Sequence, residues 1–144
     1  MDFIVVGGVA AALHGAPVST FDLDVVHSRV PDNVRRLLAV LETLQSFYRA
    51  QPKRRLRPRE SHLCSKGHQL LMTRYGPLDL LGTIGRGLGY EELLEYTTEM
   101  RIARKVLVRV LDLEKLIEIK EGLADEKDRA VLPLLRLTLA KKNG

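Results

Sequence analysis

The stretch FDLDVVH, residues 21–27, is apolar except for two aspartates one residue apart, Asp22 and Asp24, and the histidine that ends it. Side chains alternate across a strand, so Asp22 and Asp24 are expected on one face, with Leu23 and Val25 on the other. Two carboxylates that close together repel, and burial among apolar neighbours raises the cost. A divalent cation removes both difficulties. Hard oxygen donors of this kind suit Mg²⁺, held with open positions for phosphate and water.

Three further features bear on the same chemistry. Asp79 lies in the apolar run PLDLLG and, like the first pair, needs a cationic neighbour. Three strand carboxylates, Asp22, Asp24 and Asp79, would serve two metal ions. Gly7 and Gly8 stand between the apolar run FIVV and a helix-forming stretch, where backbone amides free of side chains can approach phosphate oxygens. A Gly-Gly pair alone marks only a tight turn. In DLEKLIEIKEGLA, residues 112–124, the apolar stripe Leu113, Leu116, Ile117 and Ala124 also contains Lys120. Asp128 aligns with Val131, Leu132, Leu135 and Leu139 on the next helix. The plain reading is a Lys120–Asp128 pair joining two helices; the functional one sends Lys120 to a phosphate with Asp128 orienting it.

With 45% hydrophobic and 28% charged residues over 144 positions, the chain has the composition of one globular domain, spanning 1–144. No apolar run reaches the roughly 20 residues that cross a bilayer. Met1 leads into FIVVGG without a basic n-region, so neither a signal peptide nor a membrane partner is expected. A single cysteine, Cys64, excludes an internal disulfide framework and suits a reducing cytoplasm. The net charge of +5 favours a polyanionic partner. Most of that signal is RAQPKRRLRPR, residues 49–59, with six basic side chains and no acid. Its two prolines mark a loop, either simply solvated or contacting RNA phosphates through Arg54, Arg55 and Arg57.

The order of elements reads as follows. A strand at 3–6 and a short helix closing at Gly15 precede the Asp22–Asp24 strand, and a helix starts at Pro31 with the stripe Val34, Leu37, Leu38, Leu41 and Leu44. A hairpin turns at Gly76-Pro77, and YEELLEY gives one or two helical turns. Two strands at 98–111 precede helices at 112–122 and 125–141, the last kinked or delimited by Pro133. That is an α/β (α+β) fold, with helices packed on a small mixed, partly antiparallel sheet. His14, ending the first helix, reads as a surface or capping residue.

These residues together resemble the nucleotidyltransferase superfamily, the polymerase-beta-like fold, whose signature is a strand ending in Gly-Gly, a short helix, Asp-hydrophobic-Asp on the next strand and a third carboxylate later. Here Gly7-Gly8, Asp22-Leu23-Asp24 and Asp79 stand in that order. Gly7-Gly8-Val9-Ala10, His14-Gly15, Thr20, Leu116-Ile117, Lys120 and Lys127-Asp128 are similar to small bacterial minimal nucleotidyltransferases and abortive-infection type toxin transferases. The resemblance implies transfer of a nucleoside monophosphate from a nucleoside triphosphate to an acceptor hydroxyl. It implies Mg²⁺ on Asp22, Asp24 and Asp79, phosphates cradled by Gly7, Gly8 and Thr20, and Lys120 neutralising charge. The acceptor is left open: an RNA end or a protein fits a toxin–antitoxin setting with a partner protein or a homo-oligomer, and a small hydroxyl-bearing antibiotic suits the same fold. Two departures stand out. The family's arginine between His-Gly and Thr is replaced by Val18-Ser19, so that contact is either missing or supplied by Arg74 or the basic loop. The helix that usually precedes the first strand is also lacking, which implies a truncated start or an edge covered by another subunit. A catalytically degenerate nucleotide-binding or interaction module of the same fold is the alternative.

Overall fold

The computed structural model describes residues 1–123 and 125–144, so Ala124 of the expected stripe lies outside the described residues. The chain runs β1 (Phe3–Val6), α1 (Gly7–Leu13), β2 (Leu23–His27), α2 (Pro31–Thr43), β3 (Phe47–Tyr48), α3 (Glu60–Leu63), β4 (His68–Thr73), β5 (Gly76–Leu81), α4 (Tyr90–Leu93), β6 (Thr97–Ala103), β7 (Val106–Leu111), α5 (Leu113–Glu121) and α6 (Glu126–Asn143). The strands form one seven-stranded sheet in the order β3-β4-β5-β2-β1-β7-β6. It is mixed: β1 pairs antiparallel to β2 and parallel to β7, and β2 pairs parallel to β5. The α/β expectation holds, although seven strands make a larger sheet than expected.

Helices cover both faces, which explains why the central strands are apolar runs rather than alternating patterns. Val5, Val25, Leu80 and Val110 pack on one face with Val34, Leu37 and Leu41 of α2 and Leu63 of α3. Ile4, Val6, Val26, Leu81 and Leu111 pack on the other with Leu116 and Ile117 of α5 and Leu132 and Leu135 of α6. Because side chains alternate, Asp24 and Asp79 share the second face with Val26 and Leu81, under α5 and α6.

Several local expectations are corrected. The second strand begins at Leu23, so Asp22 stands just before it and strand alternation governs Asp24 alone. Gly7 and Gly8 form the first turn of α1 instead of a separate turn before it. Pro133 does not delimit the last helix, which is continuous from Glu126 to Asn143. His14 is buried: its imidazole bonds the Leu111 carbonyl at 2.8 Å and accepts from Lys142 Nζ at 2.6 Å, tying α1 to β7 and α6. No helix among the described residues is long and apolar enough to cross a membrane.

Candidate functional site

The site grows from the parallel pairing of β2 with β5, whose register sets Asp24 directly beside Asp79. Neighbouring strands lie about 4.8 Å apart, so these two carboxyls are in reach of each other. Burial pushes the Asp24 carboxyl up, and the hydrogen bond and charge of Asp79 and then the charge of Asp22 push it further, to about 7; Lys120 only partly opposes this. Asp24 therefore carries a proton for much of the time near neutral pH.

Gly7 lies against this carboxyl. Its φ of +65° falls in the left-handed region, and a Cβ there would collide with the Asp24 carboxylate. Gly8 is constrained from the other side, because a Cβ would come within 2.9 Å of the Thr20 side chain. Thr20 Oγ1 donates to the Asp22 backbone carbonyl at 3.2 Å and shapes the approach to β2. The two glycines thus let α1 start against Thr20 and Asp24, an approach that side chains would prevent.

Across from the glycines, Lys120 Nζ of α5 donates to Asp128 Oδ1 of α6 at 2.9 Å. This is the inter-helix pair expected from the two stripes. Gly7, Gly8, Thr20, Asp22, Asp24, Lys120, Lys127 and Asp128 all line one cavity of about 430 Å³. Of the expected site residues, only Asp79 is missing from this lining; it stands behind Asp24 on the β5 side.

The residue the sequence did not single out is Arg49. Its Nη1 donates to Asp79 Oδ1 at 2.6 Å and to the Leu71 carbonyl at 3.0 Å, and its Nη2 lies 3.6 Å from Asp22 Oδ2. The hydrogen bond to Asp79 raises the guanidinium further above its ordinary range, so it is permanently charged. Arg49 heads the basic run, yet it is drawn inward because its backbone N–H extends the β3–β4 ladder, donating to the Leu70 carbonyl at 3.2 Å. The signal that could have found it is its position immediately after the short apolar pair Phe47-Tyr48.

Arg74, the other cation considered for the position vacated by Val18-Ser19, stacks instead on exposed Tyr75 at 4.9 Å. Arg54, Arg55 and Arg57 are exposed and contact none of the three carboxylates. Arg54 bonds Gln51, and Arg55 covers the Phe47 ring at 4.3 Å. Cys64 is a half-buried free thiol.

Among the described residues, no group of three or more His, Cys, Asp or Glu stands close enough together to hold a metal ion. With Asp79 turned to Arg49, the donors left facing the cavity are Asp22 and Asp24. The hard oxygen donors of Asp22 and Asp24 and the open cavity beside them fit a magnesium ion.

No protein-family model matches the chain, and neither does any curated protein. Among solved structures, the chain is similar to the crystal structure of a "putative nucleotidyltransferase" from Thermotoga maritima, with 15% identity and a TM-score of 0.51. The match covers 98% of this chain and 78% of that one, and at this identity it is the fold that the two share.

Proposed function

We propose that this chain is a nucleotidyltransferase, moving a nucleoside monophosphate from a nucleoside triphosphate to an acceptor hydroxyl with release of pyrophosphate. The observation that carries the reading is the common cavity of Gly7, Gly8, Thr20, Asp22, Asp24 and Lys120. It combines a close-approach backbone, paired carboxylates and a cation around one open space of about 430 Å³. The fold shared with the Thermotoga maritima protein supports the same reading.

In this reading Asp22 and Asp24 hold Mg²⁺, which supplies positive charge against the phosphates. The amides of Gly7 and Gly8 and the Thr20 hydroxyl take phosphate oxygens. Lys120, oriented by Asp128, approaches the departing pyrophosphate and neutralises the charge that develops there. The acceptor oxygen attacks the α-phosphorus in line as the bond to pyrophosphate breaks. Its proton passes to Asp79, at the carboxylate oxygen that Arg49 leaves free. The acceptor is an RNA end or a protein hydroxyl, in a toxin–antitoxin setting with a partner protein or a second copy of the chain.

The second reading, a catalytically degenerate nucleotide-binding module, is favoured by one observation: Arg49 occupies Asp79, the carboxylate that would act as base. Calorimetry separates binding from its absence. Wild-type protein is expected to bind nucleoside triphosphate only with Mg²⁺, and the Asp22→Ala, Asp24→Ala double variant to lose that binding while its circular dichroism is retained. Absence of metal-dependent binding in the wild type sinks the enzyme reading. Labelled nucleotide that binds but never transfers to cellular RNA or protein favours the degenerate module.

A further inference from the structure

We propose that Arg49 stands in for a second divalent cation, so that the chain binds one such ion, at Asp22 and Asp24, and not two. The inference rests on the nucleotidyltransferase reading but concerns the charge arrangement within the site. Arg49 is fixed by three contacts. Its Nη1 reaches Asp79 Oδ1 and the Leu71 carbonyl, and its backbone N–H is held in the sheet by Leu70. Its Nη2 faces Asp22 across 3.6 Å, so the guanidinium lies between the first and third carboxylates of the set.

A bridging cation between Asp22 and Asp79 would need the space this group fills. The Arg49 and Asp79 side chains are 26% and 13% exposed, which limits solvent screening and makes the pair hard to separate. A guanidinium cannot be displaced by losing its proton, unlike a lysine or histidine in the same place. The flanking residues 50–57 are exposed, so the inward course of Arg49 is set by its own contacts and not by burial of the whole segment. This accounts for the lack of a three-carboxylate cluster among the described residues, although the strand register brings the carboxylates to one end of the sheet.

Manganese without nucleotide is the probe, with free Mn²⁺ counted by electron paramagnetic resonance on the full chain. The wild type is expected to bind one Mn²⁺ and Arg49→Gln two. Arg49→Gln binding the same number with the same affinity as wild type overturns the proposal, and so does a wild type that binds two. Should Arg49→Gln fail to fold, Asp79→Asn keeps the question open to test, because an Asp79 already engaged by arginine contributes nothing to the bound ion. One Mn²⁺ with unchanged affinity in Asp79→Asn supports the proposal, and loss of the ion overturns it. A chain that binds no Mn²⁺ in any form overturns both this inference and the metal part of the nucleotidyltransferase reading. The expected manganese counts without any triphosphate binding overturn the nucleotidyltransferase reading alone.

Discussion

Among single residues, Asp24 is under the greatest electrostatic stress. Its carboxyl sits at about 7 in the folded chain, pushed up by burial first, against an ordinary value of 3.8. Between those values the folded state holds more protons than the unfolded one, so stability falls as pH rises towards and through about 7. His14 and His27 act in the opposite sense. Burial lowers both from 6.5, so the stability of their neutral forms is lost as pH falls below that value. In a chelating buffer the melting temperature should therefore rise from about pH 8 to about pH 6.5 and decline below it. Asp24→Asn should remove the alkaline limb and leave the acidic one. A flat wild-type profile on the alkaline side would show that Asp24 is not stressed in this way.

At the level of elements, α6 is the helix most at odds with its own sequence. Pro133 has no N–H to donate to the carbonyl one turn earlier, yet the helix continues because Leu132, Leu135 and Thr138 are buried around it. Tertiary packing thus overrides a local breaker. Since Pro133 itself is exposed, replacing it costs little packing, and Pro133→Ala should stabilise the protein by about 1–3 kcal/mol. Urea denaturation measures this directly, and an unchanged midpoint would mean that the helix has already absorbed the missing bond. The Lys120–Asp128 pair shows the opposite relation: each residue was legible from helical spacing on its own element, and α5 against α6 merely joined them. Strand β3 was not legible, because two residues carry no periodicity.

For the molecule as a whole, positive charge is distributed in two roles. Arg49 is turned into the site, while Arg54, Arg55 and Arg57 remain on the surface beyond it. If RNA is the acceptor, this exposed group should guide its backbone. Replacing Arg54, Arg55 and Arg57 by Gln should weaken RNA binding and reduce the slope of log affinity against log salt by about 2–3. Nucleotide binding should be unaffected, because none of the three touches the carboxylates. Fluorescence anisotropy across a salt series tests this, and an unchanged slope would remove these arginines from any RNA surface.

The amino-acid sequence by itself determined the elements with strong periods, the side of its strand that Asp24 takes and the place of Lys120 within an apolar helical stripe. It also carried a Gly-Gly pair between the first strand and the first helix and the need for positive charge near Asp22, Asp24 and Asp79. These follow from local geometry: a period of two on strands, 3.6 on helices, and the cost of burying a carboxylate. Only the tertiary structure decided which cation meets which carboxylate. Asp24 stands beside Asp79 because β2 and β5 pair in one parallel register, and Arg49 reaches Asp79 from 30 residues away because edge strand β3 docks on β4. A solvated basic loop and a loop with one arginine turned inward have the same local pattern. The difference lies in long-range strand pairing, which no short window of sequence contains.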